Sequence, residues 1–179
     1  MGIINKVKPI GLCLILCPSL LLSQLDGDII SRQAVIYPAY DQSPSVEMYY
    51  DKATYETSIK DEEVMIEKIL YYSDGLKAVA YLSNPASPHE TKYPVIIFNR
   101  GSAIRNDISD VYTPLFKKFV HQGFIVIAPA LKGSEGGEGK DQVGGDDIND
   151  IMNILHLLDN LVNVDASNLF MLGESRGAL

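Results

Sequence analysis

The chain has 179 residues, 46% of them hydrophobic, and a formal net charge of −8. That apolar content excludes a disordered polymer and allows one domain with a buried core. The negative balance argues against nucleic-acid binding through a basic face.

Residues 1–23 read as an export signal. Lys6 and Lys8 precede an apolar run from Ile10 to Leu22, broken only by Gly11, Pro18 and Ser19, and Ser23 offers a small residue at the cleavage point. The run is short for a membrane span. The sequence therefore predicts a periplasmic or extracellular protein with no membrane attachment after cleavage. Lipid attachment through Cys17 is the lesser alternative, since Leu16 stands where a small residue is wanted. Both cysteines, Cys13 and Cys17, fall within this segment, so the mature chain is expected to carry no thiol or disulfide.

Residues 24–62 carry little periodicity and read as an irregular lead-in with one short strand at 34–37. From residue 63 the pattern sharpens into the domain proper, 63–179. Runs at 64–72 and 76–82 are β-rich, and the Ser73-Asp74-Gly75 loop between them predicts a hairpin. The apolar run at 94–99 predicts a strand buried on both faces. Residues 111–121 have helical spacing with Gly123 as a stop, and 124–130 is a second buried strand. A glycine-rich loop spans 132–145. Residues 146–161 predict one helix with Ile148, Ile151, Met152, Leu155 and Leu158 on its apolar stripe. Residues 168–172 predict a third short buried strand. Alternating strands and helices after a hairpin predict an α/β fold, a mostly parallel sheet with helices on both faces.

That last strand runs into Gly173-Glu174-Ser175-Arg176-Gly177. The pattern G-x-S-x-G between a strand and a helix is the nucleophile elbow of an α/β-hydrolase, where a serine stands exposed on a strained turn. Gly173 and Gly177 remove side chains that would collide with neighbouring backbone. The amide of Arg176 can donate to a developing oxyanion. A second donor is expected from the loop after the first parallel strand, Asn99-Arg100-Gly101-Ser102, with Asn99 and Gly101 as the candidates. The alternative there is structural: Gly101 makes the turn and Asn99 ends the strand.

Other residues invite roles and are read as structural. His89, His121 and His156 all precede Ser175, whereas the histidine of this fold follows its serine. Asp141, Asp146, Asp147 and Asp150 lack the spacing of a calcium loop, and Asp146 and Asp147 suit a helix N-terminus. The glycines of 133–145 lack the Gly-Lys-Ser/Thr of a phosphate loop. No metal or cofactor is assigned.

Together these segments resemble the catalytic domain of the prolyl oligopeptidase family of serine peptidases. The resemblance rests on residues 94–101, the loop 133–141, the stretch 144–150, Val164-Asp165 and the elbow. It implies a Ser-Asp-His triad with Ser175 as nucleophile, and hydrolysis of peptides or esters through an acyl-enzyme. It covers only the N-terminal part of such a domain, because the Asp and His would follow Leu179. The chain is therefore expected to be a piece of a longer protein and inactive by itself. A carboxylic-ester hydrolase of dienelactone-hydrolase type fits the same motifs, as does a binding protein without a triad. The expected partner is a peptide or ester substrate.

Overall fold

The computed structural model describes residues 24–89, 92–101 and 107–178. The export signal read in residues 1–23, with both cysteines, lies outside the described residues. So do Ser102 and the four residues that follow it.

The described chain builds one six-stranded sheet in the order β1-β2-β3-β5-β4-β6. The strands are β1 (Ile29–Ala34), β2 (Val64–Ser73), β3 (Leu76–Pro85), β4 (Tyr93–Asn99), β5 (Ile125–Pro129) and β6 (Val164–Gly173). Strands β1, β2 and β3 pair antiparallel, and β3 joins β5 antiparallel. From there β5, β4 and β6 run parallel. The predicted hairpin is present: Ser73 pairs with Leu76. Asp74 and Gly75 both take positive φ, 53° and 73°, the two-residue turn whose twist matches the strands.

Period-two alternation divides the core into two layers. Ile96 and Phe98 of β4 face α3 (Ile108–His121), meeting Val111, Tyr112, Phe116 and Val120. Phe98 packs its ring 4.8 Å from Tyr112 and 5.2 Å from Phe116. Val95 and Ile97 face the other side, against Ile154, Leu157 and Leu158. This is the α/β-hydrolase arrangement predicted from the pattern, with helices on both faces.

Two expectations are corrected. The lead-in is not irregular. It contains β1, a 3-10 turn at Tyr40–Gln42, and two helices, α1 (Pro44–Tyr49) and α2 (Lys52–Ile59). The strand predicted at 34–37 instead ends at Ala34. Neither helix has an apolar stripe long enough to show in sequence, but local signals exist: Pro44 opens α1, and Asp51 caps α2 by accepting from the Thr54 amide at 2.8 Å.

The helix predicted at 146–161 is broken into α4 (Ile148–Met152) and α5 (Ile154–Leu158). Its buried face is also different. Ile148, Met152 and Leu155 are exposed, while Asp150 and Asn153 are buried. Polar partners explain the inversion: Ser73 donates to Asp150 at 2.6 Å, Tyr71 donates to the Asp150 carbonyl, and Asn153 donates to Ser73.

The last strand, β6, lies at the edge of the described sheet, with Phe170 and Met171 50% and 64% exposed.

Candidate active site

The elbow begins where β6 ends. Gly173 pairs in parallel register with Asn99, the last residue of β4. The Glu174 amide then donates to the Asn99 carbonyl at 3.0 Å. Ser175 follows with φ of 52°. A serine in that left-handed region is strained, and only its surroundings hold it there. The Gly177 amide closes the turn onto the Glu174 carbonyl at 2.8 Å, within a 3-10 turn at Ser175–Ala178. Ser175 is exposed at this tip.

The two flanking glycines are required by contact. A Cβ on Gly177 would lie 2.0 Å from the Asn99 carbonyl oxygen, and one on Gly173 would lie 2.1 Å from that of Gly177. Both obstacles are backbone and cannot swing aside.

Gly101 comes up against the elbow from the other strand. A Cβ there would stand 3.2 Å from the Ser175 Cβ and 3.1 Å from the Glu174 carbonyl. Its peptide is fixed by Arg100, which donates to the Gly101 carbonyl at 3.1 Å. Asn99 is buried, and its described ties to the elbow run through its backbone carbonyl; its side-chain Oδ1 has no hydrogen-bond partner. It lines a cavity of about 650 Å³ beneath the elbow, shared with Leu131, Ile151, Met152 and Met171.

Sequence reasoning missed what holds this turn in place. Arg176 carries the backbone amide singled out for an oxyanion, but its side chain is committed elsewhere. It donates to Asp141 at 2.8 Å and to Asp147 at 2.5 Å. Arg100, wholly buried, donates twice to the Ala130 carbonyl and once to Ser134, and lies 3.6 Å from Asp141. Asp141 is thus shared by two guanidinium groups. Burial pushes its carboxyl up, yet the Arg176 hydrogen bond and the Val143 amide outweigh it and leave it below its ordinary value. Asp147 does not cap a helix through its side chain; it binds the amides of Gly144 and Gly145 and the Arg176 guanidinium. The signal available in sequence was the pairing of two acids in a glycine-rich loop with an arginine in the elbow.

The three histidines stand elsewhere. His121 pairs with Asp61 at 2.8 Å at the C-terminal end of α3, and His89 lines the same small hollow as His121 and Tyr93. His156 packs its backbone against Gly27. Among the described residues, Asp61, Glu63 and His121 form one group close enough to share a metal. Asp61 lies 2.8 Å from the Nε2 of His121 and Glu63 3.9 Å from its Nδ1.

Comparisons place this geometry among known proteins. The sequence model of the chlorophyllase family matches residues 59–179. The peptidase YtmA of Bacillus subtilis, itself uncharacterized, is 31% identical over 118 residues, 66% of this chain and 44% of that protein. The chain thus spans less than half of that relative's length. An acetyl xylan esterase from Paenibacillus sp. R4 superposes with a TM-score of 0.54 at 15% identity, covering 73% of this chain and 52% of that one. The esterase Est22 gives a TM-score of 0.58 at 18% identity, over 74% and 41%. At such identities the structures speak to the fold alone, and the fold is that of the α/β-hydrolases. With a family match that runs from the end of α2 through the elbow, the chain belongs to the chlorophyllase family.

Proposed function

We propose that the protein is a serine hydrolase acting by acyl transfer on Ser175. The observation that carries this reading is the exposed serine held at φ 52° between a parallel strand and a helical turn. In the proposed reaction the Ser175 Oγ attacks a substrate carbonyl carbon and gives up its proton to a histidine. The tetrahedral oxyanion is held by the Arg176 amide and by the Asn99–Gly101 loop, where Gly101 lets backbone approach Ser175. Collapse expels an alcohol or amine and leaves an acyl-serine, which water then hydrolyses. The acid and histidine follow the nucleophile in the chain order of this fold, so the activity proposed is that of the whole protein.

Two substrate classes share this chemistry. The YtmA relationship supports peptides, in keeping with the prolyl oligopeptidase resemblance. The likeness to esterases supports carboxylic esters. A fluorophosphonate probe tests the nucleophile: labelling of the full-length protein is expected at Ser175 and is lost in Ser175→Ala, whose turnover should fall by roughly 10⁴-fold or more. Labelling that persists in the variant would place the nucleophile elsewhere. Panels of short-chain esters and of peptides then separate the two classes by kcat/KM.

A further inference from the structure

The two groups assigned to the oxyanion follow different strands. The Arg176 amide comes after β6, and the Asn99–Gly101 loop comes after β4. They can act on one oxygen atom only if their spacing is fixed. Backbone contacts bring them together: Glu174 donates to the Asn99 carbonyl, and Gly101 stands against Ser175. A third segment, the glycine-rich loop, then grips both.

Asp141 is the shared point of that grip, with its side chain only 3% exposed. Arg176 meets it as a fork: Nη1 donates to Oδ2 at 2.8 Å, and Nη2 stands 2.8 Å from Oδ1. Such a two-pronged pair fixes direction as well as distance. Arg100 Nη2 lies 3.6 Å from the same Oδ2, and its Nη1 donates to the Gly101 carbonyl. One carboxylate is therefore linked, through one arginine each, to both halves of the oxyanion site. The Val143 amide, donating to Oδ1 at 2.8 Å, holds the carboxylate itself.

We infer that Asp141 is a positioning residue that sets the spacing of the two oxyanion donors by bridging Arg100 and Arg176. The inference rests on Ser175 being the nucleophile. The sign of the charge separates position from field. A carboxylate near an oxyanion repels it, so a purely electrostatic effect would make neutralising Asp141 favourable. Loss of the bridge makes the same change unfavourable. Asp147 also accepts from Arg176, so that guanidinium keeps a counter-charge when Asp141 is neutralised.

The test is the titration of a hemiketal formed at Ser175 in the full-length protein. The probe is a short-chain alkyl trifluoromethyl ketone labelled with carbon-13 at its carbonyl. The Ser175 Oγ bonds to the carbonyl carbon, the π electron pair moves to the carbonyl oxygen, and the serine proton passes to a histidine. Carbon-13 NMR then reads the pH at which the hemiketal oxygen ionises, whether the natural substrate is a peptide or an ester. Asp141→Asn is expected to raise that pH by about one unit, a roughly tenfold loss of oxyanion stabilisation. Outright removal of a donor costs roughly 10²-fold or more. Arg176→Lys keeps both charges and breaks the fork. It should move the pH the same way, and it carries the test if the asparagine variant does not fold. An ionisation pH that is unchanged or lower in either folded variant overturns the positioning role and leaves the nucleophile intact. A wild-type protein that forms no adduct at Ser175 overturns the nucleophile reading, and the positioning role with it.

Discussion

Ser175 sits where backbone geometry leaves no slack, and its neighbours show why the motif could be read directly. Gly173 and Gly177 are required by backbone oxygens about 2 Å from any added Cβ. The motif is local, so five consecutive residues carry it. A contrast between glycines tests this. Gly75 has φ of 73° but nothing within 4 Å of an added Cβ; Gly75→Ala should cost only the left-handed strain, about 1 kcal/mol. Gly177→Ala instead collides with the Asn99 and Arg100 backbone and should cost about 3 kcal/mol. Urea unfolding of both variants measures the difference, and equal costs would mean the elbow relaxes freely. Arg176 was only half legible. Its amide follows from the motif, whereas its side-chain partners lie 35 and 29 residues away, a distance no local pattern spans.

Among the elements, α4 and α5 show how a sequence pattern can mislead. The hydrophobic stripe counted Ile148, Met152 and Leu155 as core, but Asp150 and Asn153 are buried because the β2–β3 hairpin supplies partners for them. The Asp74 carboxylate at the hairpin tip accepts from Lys132 and Asn149 at 2.8 Å each. Polar burial of this kind depends on tertiary contacts and leaves no periodic trace. It has a consequence for pH. Burial, with the charges of Asp74 and Asp147, lifts the Asp150 carboxyl from 3.8 to about 6, against the Ser73 hydrogen bond and Lys132. Its Oδ2 has no partner. The folded state therefore holds the proton more tightly than the unfolded chain. This group costs stability above pH 6, and the cost fades as pH falls towards 4. Asp150→Asn should be more stable than wild type by about 1–3 kcal/mol at pH 7.5, with the gap closing near pH 4.5. Denaturant midpoints at the two pH values decide it; a gap that does not change with pH would remove Asp150 as its source.

Across the whole molecule, the glycine-rich loop links parts that the sequence presents as separate. Ser134 accepts from Arg100 behind the elbow. Glu135 accepts from the Ile108 amide at the start of α3 and from the Tyr81 hydroxyl of β3, both in buried positions. Glu138 exchanges hydrogen bonds with Lys77 beside the hairpin. Asp141 completes the set through Arg176. The glycines were visible in sequence, but the carboxylates between them do the connecting. The fold class was legible because strands β2 to β5 alternate cleanly between two cores.

The order of the strands also sets a timetable for their assembly. The β2–β3 hairpin closes through the two-residue turn at Asp74 and Gly75, so its ladder forms at almost no loop cost. The β4–β6 ladder must bring Tyr93 to Val164 across α3, β5 and the whole glycine-rich loop. Contacts of that separation form late. In pulse-labelling hydrogen exchange, amides of β2 and β3 should gain protection before those of β6, and the turn that bears Ser175 should be among the last to take shape. Simultaneous protection of both ladders would rule out that sequence. In that order of events, the strained conformation of Ser175 is acquired only after the chain that supports it has folded.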